Sequence, residues 1–202
     1  MKRHCKRIAL VLCVVVGVGV WGLLADSQAL YDGLLRLHVV GASDSDGDQA
    51  VKLQVRDAVL GSLEDGLRDL TDMDAALAYV EEMLPQVEAA ANRALAAAGV
   101  DMKAVATLAE EAFPTREYDT FSLPAGVYKA LRIVIGEGEG KNWWCVVFPS
   151  LCMGTQEEFV ETASVAGMPQ KLTETLEGEY ELRFWLLEKI GQIKNALFAS
   201  SD

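Results

Sequence analysis

The sequence predicts an α+β domain: a mostly antiparallel sheet of about four strands with helices packed on one face, in the order β-α-α-β-β-β-α, behind an N-terminal signal or transmembrane helix. Three observations predict it. Segments with the two-residue period of strands and segments with the three-to-four-residue period of helices follow one another without strict alternation, which favours α+β over a doubly wound parallel sheet. The chain has 202 residues, 51 % of them hydrophobic, long enough for one domain of ordinary size and not comfortably for two. Its first seven residues carry Lys2, Arg3, Lys6 and Arg7 with no acid, and the eighteen that follow, Ile8 to Ala25, are uncharged.

The basic start, apolar run and small residues near its end form the pattern of an export signal, with the positive end left in the cytoplasm. Eighteen residues lie between the length of a cleaved signal core and that of a transmembrane span. Residues 1–29 are therefore read as a signal peptide or a membrane anchor, with small residues Ala25, Ser27 and Ala29 near the cut, and residues 30–202 as one exported domain. The membrane is met through the N-terminal segment alone.

The elements follow in order. In Leu34 to Val40, Leu35, Leu37 and Val39 share one face and Arg36, His38 and Val40 the other, a strand period. Ser45 or Asp46 caps the first helix, with Val51, Val55, Ala58, Val59 and Leu63 on its buried face and Asp46 and Asp48 at the positive end of its dipole. Thr71 or Asp72 caps the second, which carries Leu77, Val80, Leu84, Val87, Ala91 and Leu95 to a stop at Gly99. Pro85 is expected to kink or split it. An extended segment covers Met102 to Ala112. Tyr128 to Ile135 and Trp143 to Phe148 are two further strands, joined by a glycine-rich reversal read as a hairpin turn. The last helix, about 181–198, has Leu182, Trp185, Leu186, Ile190, Ile193 and Leu197 on one face.

The formal charge is −12. Without the four N-terminal bases it is −16, because every acid lies after Ala25. Nucleic acid is excluded as a partner by this balance. In the exported domain only Cys145 and Cys152 remain, and two thiols in an oxidising compartment read most simply as one disulfide.

The candidate chemistries fail one by one. A cysteine nucleophile would need His38, the sole histidine of the exported domain, beside Cys145 and an orienting Asp44 or Asp57, and it would need the thiol free. The acids of DSDGD, Asp44, Asp46 and Asp48, lack the glycine and glutamate of a calcium loop, since Gln49 and Val55 stand there. GEGEGK lacks the first glycine and the hydroxyl of a phosphate loop, since Ile135 and Asn142 occupy those places. No cofactor, no metal and no catalytic residue is expected. Adjacent Trp143 and Trp144 must point to opposite faces of a strand, so that either one fills the core while the other faces a partner or solvent, or both are buried under separate layers.

Three segments carry a resemblance: RLHVVGASDSDGDQAVKLQVRDAVL (Arg36 to Leu60), FPTREY (Phe113 to Tyr118) and LPAGVYKALRIVIGEGEGKNWWCVVFPSLC (Leu123 to Cys152). Together, over about residues 35–152, they closely resemble the stage II sporulation protein R family of endospore-forming bacteria. The resemblance implies a protein made in the forespore and exported across its membrane into the space facing the mother cell. There it would activate a membrane-embedded aspartic protease that processes the pro-form of the mother-cell sigma factor. The family-motif positions nominated for that contact are Arg36, His38, Asp44, Asp48, Lys52, Arg56 and Asp57, with Asn142, Trp143 and Trp144. Two positions depart from the family pattern: Ala42, where Asn is usual, and Ser150, where Pro is usual. The rival readings are an exported hydrolase and a cell-wall-binding module.

Overall fold

The computed structural model describes residues 2–118, 122–149 and 181–200. Its elements are α1 (Lys2–Asp32), β1 (Leu35–Val40), α2 (Asp46–Leu67), α3 (Met73–Ala97), β2 (Ala104–Phe113), β3 (Arg116–Glu117), β4 (Ser122–Leu123), β5 (Gly126–Ile135), β6 (Asn142–Phe148) and α4 (Glu181–Ala199). The four long strands form one sheet in the order β2-β5-β1-β6, and β3 and β4 form a separate two-stranded ribbon. The α+β class and the element order agree with the sequence reading.

Both ends of the first helix pair follow from capping chemistry. Ser45 Oγ accepts the Asp48 amide at 3.1 Å and begins α2. Asp72 accepts the amides of Asp74 and Ala75 and begins α3. Gly99 has φ +74° just past the end of α3, the left-handed conformation that terminates helices. Pro85 lies inside α3 without splitting it.

Two features differ from the sequence expectation. The first is topology. β5 and β6 are not a hairpin, because β1 lies between them, parallel to β5 and antiparallel to β6, with Leu37 opposite Leu131 on one side and Cys145 on the other. The glycine-rich connection therefore crosses the end of β1. It is held there by Gly140 N to Gly41 O at 2.8 Å and Gly41 N to Lys141 O at 3.3 Å. A side chain at Gly140 would strike the Ser43 backbone, so glycine is required for the close approach rather than for a reversal. The reason for the insertion is burial: every residue of β1 is buried, and a strand apolar on one face and covered on the other belongs in the sheet interior.

The second is layering. α2 and α3 cover one face, where Leu37, Val39, Leu131 and Ile133 pack with Val55, Val59, Val80 and Leu95. The opposite face is covered too. There Leu30 and Tyr31 of α1 and Leu187 of α4 pack with Phe113, Leu123, Tyr128 and Val146. Helices thus lie on both faces, and α1 is one unbroken helix whose outer part is exposed (Trp21 76 %) and whose end is buried (Leu30 0 %). By length and composition the stretch Leu10–Asp32 is apolar enough to cross a membrane.

Candidate functional site

The sheet separates the nominated residues into three groups. The first stitches two loops together at the end of β1. Asp44 Oδ1 accepts the Lys141 amide at 2.7 Å, and Asp48 accepts the Ser43 hydroxyl. Buried Lys52 donates from Nζ to Lys141 O at 2.9 Å and to Gln49 Oε1 at 2.6 Å. Asp44, Asp48 and Lys52 therefore hold the crossing connection in place and are already engaged.

Burial holds the Lys52 amine below its ordinary value of 10.5, with Asp44 opposing the shift and Lys141 and Arg56 adding to it. A lysine depressed in the folded state binds fewer protons folded than unfolded. Its contribution to stability therefore rises with pH between the lowered value and 10.5. Lys52→Met is expected to flatten that rise. Unfolding midpoints of both proteins, taken stepwise across the alkaline range, check it; an equal rise in the variant would remove Lys52 as its source.

The second group lies at the edge of the sheet, on the α2 side. Trp143 is 36 % exposed, and the Arg56 guanidinium stands 4.5 Å from its ring centre. Asp57 in turn pairs with Arg56 at 2.6 Å. Among the described strands β6 is an edge strand, so this indole and its cation are presented outward.

The third group lies on the other face of the sheet, around His38 and Arg36. His38 is buried between two oxygens, with Nδ1 2.8 Å from Glu111 Oε2 and Nε2 2.9 Å from Asn142 Oδ1. Its ring is stacked on Trp144 at 5.5 Å. Arg116 covers Trp144 at 3.6 Å, and burial together with the nearby charge of Arg36 holds Arg116 below its ordinary value. Arg36 is fully buried, with Phe113 and Tyr128 over its guanidinium. Burial pushes the Tyr128 phenol up, and it donates to Pro124 O at 2.7 Å. The neighbouring tryptophans do point to opposite faces, with Trp144 the inner and Trp143 the outer.

The same division dismantles the cysteine-nucleophile constellation. Cys145 faces the α2 and α3 side of the sheet with Leu37, whereas His38 faces the α1 and α4 side, and Asp44 and Asp57 are engaged elsewhere. Cys152, and with it the expected disulfide to Cys145, lies outside the described residues, as does Ser150. Among the described residues no cluster of three or more His, Cys, Asp or Glu is placed to hold a metal ion.

Glu111, Phe113, Arg116 and Tyr118 were not nominated from sequence, yet they complete the His38 and Arg36 environment. The signal lies in the sequence: three of the four belong to the FPTREY segment, although no spacing rule shows which side chains they reach.

Residues 31–158, more than half of the chain, match the family described as Stage II sporulation protein R. Over 121 residues the chain is 36 % identical to the Stage II sporulation protein R of Bacillus subtilis (strain 168), covering 60 % of this chain and 54 % of that protein. The chain thus spans about half the length of the curated relative it matches. No solved structure matches. All ten nominated contact residues fall inside the matched span, and the apolar run of α1 and the whole of α4 fall outside it.

Proposed function

Because the chain belongs to the stage II sporulation protein R family, which has a role in sporulation, we propose that it is an exported signal and not an enzyme. In this reading it crosses the forespore membrane by its N-terminal segment, which is then cleaved or kept as an anchor. Its domain binds a membrane-embedded aspartic protease of the mother cell, and processing of the pro-form of the mother-cell sigma factor follows. Such a ligand acts by binding the active arrangement of the protease more tightly than the inactive one.

The observation that carries the reading is Trp143. It is a large indole held outward on β6, an edge strand among the described strands, with the Arg56 guanidinium over its ring, the residue types and placement of an interface anchor. The separation of His38 from Cys145 supports a non-enzymatic role by removing the nearest candidate for nucleophilic chemistry. A Cys145–Cys152 disulfide belongs to the same proposal, closing the turn after β6.

Co-expression with the protease and the pro-sigma factor in a non-sporulating host tests it. Cleavage is expected only when this protein is present and exported. Cleavage at equal rate without it would overturn the proposal.

A further inference from the structure

The second core holds a charge that no carboxylate among the described residues balances. Arg36 sits on the central strand β1 at 0 % exposure. The rings of Phe113 and Tyr128 lie 4.2 and 5.0 Å from its guanidinium carbon, so aromatic surface accounts for the faces of the group and not for its N–H bonds, which lie in the guanidinium plane. Of the five donors a guanidinium carries, Nη2 uses one on Tyr118 Oη at 3.0 Å. Nε and Nη1 are buried with no acceptor among the described residues. Arg116 repeats the pattern: its guanidinium is stacked on Trp144, and its Nε is also buried and unpartnered.

Neither arginine forms an ion pair among the described residues. Two carboxylates on this face are engaged elsewhere: Glu111 by His38 at 2.8 Å and by Arg132 at 3.6 Å, and Glu188 of α4 by the Thr115 hydroxyl at 3.2 Å. An arginine does not escape burial by losing its proton, and an unpaired buried charge is strongly destabilising. Water can satisfy an N–H but does not neutralise two neighbouring cations. We propose that Arg36 and Arg116 form a binding site for a single carboxylate, carried by a small organic acid or by an acidic side chain of another protein. A planar two-oxygen anion matches the in-plane donors of a guanidinium. A monoanion is also repelled less by Glu111 than a phosphate dianion would be. Arg116 and Trp144 are half-buried, whereas Arg36 is fully buried, so the carboxylate would reach Arg36 from the Arg116 side.

The site stands independently of protease activation, and its test is a binding measurement that processing does not enter. Isotopically labelled full-length protein in nanodiscs is titrated with sodium acetate against sodium chloride at fixed pH and ionic strength, following the arginine Nε–H resonances. Acetate is expected to shift the Arg36 and Arg116 signals saturably and chloride is not. Arg116→Gln, at a half-buried position, is expected to weaken acetate binding about tenfold, roughly the effect of one charge-assisted hydrogen bond. Arg36→Lys keeps the charge and loses the planar fork, and is expected to weaken it as well; if that variant does not fold, Arg116→Gln carries the test. Acetyl-Gly-Glu-Gly amide and its Gln counterpart distinguish the sources. Binding of the Glu peptide alone assigns the site to a protein side chain, and binding of acetate with neither peptide assigns it to a small acid. Equal, unsaturated shifts with acetate and chloride, acetate binding unaltered in Arg116→Gln, or tighter binding of inorganic phosphate than of acetate would each overturn the proposal.

Discussion

Trp143→Ala is expected to reduce sigma-factor processing about 30-fold or more in the co-expression system while leaving the unfolding midpoint nearly unchanged. The two halves of that expectation rest on different physics. The indole is more than a third exposed, and what it loses within the domain is chiefly the Arg56 stacking, worth about 0.5–1 kcal/mol at such a site. At an interface a centrally placed tryptophan typically accounts for 2 kcal/mol or more, roughly the 30-fold stated. Trp144→Ala should divide the other way. That ring is wedged between His38 and Arg116, so its removal loosens the second core by about 2 kcal/mol. Immunoblots of the cleaved sigma factor beside thermal unfolding of the purified proteins separate the cases. Full processing with folded Trp143→Ala would remove the indole from the interface.

A second large effect is expected at a position with no side chain. Gly191 lies in α4 where a Cβ would fall on the Ala125 carbonyl and press against the Tyr31 hydroxyl. Gly191→Ala is therefore expected to lift α4 from the sheet. Leu187 would be exposed and the Asn195 Nδ2 bond to Phe113 O, 2.8 Å long, would break. The expected loss is about 3 kcal/mol, the upper range for overpacking against an unyielding neighbour. The sign is informative, because in an undocked helix the same substitution stabilises by about 1 kcal/mol through helix propensity. Urea unfolding of the two proteins reads the difference directly. Leu187→Ala, which removes the contact without a clash, should destabilise the domain with Gly191, where α4 is docked, and have little effect beside Gly191→Ala, where it is lifted.

Much of this architecture is legible in local pattern. The alternation in β1, the caps Ser45 and Asp72, and the amphipathic faces of α2 and α3 are set by residues a few positions apart, and they appear where local chemistry puts them. Strand order is different, because it depends on which strand most needs burial on both sides. The glycines between β5 and β6 suit a reversal and a crossing equally well. The insertion of β1 is decided by the whole-sheet burial of Leu35, Leu37 and Val39 against one layer and of Arg36 and His38 against the other. The candidate site shows the same limit. Asp44, Asp48 and Lys52 look like surface charges in the sequence and prove to be loop stitching. Glu111 meets His38 across 73 positions, a separation over which no spacing rule operates.

The continuity of α1 has a mechanical consequence. If α1 is kept as an anchor with its far end in a bilayer, its near end, fixed in a core by Leu30 and Tyr31, makes it a stalk without a joint. While that stalk is embedded, the domain cannot swivel freely, and the tilt of one helix sets the bearing and height of the β6 edge above the lipid. Trp143 would then be delivered at a set altitude, so that a short flexible insert at Gly33 would leave every contact surface intact and still misaddress the signal.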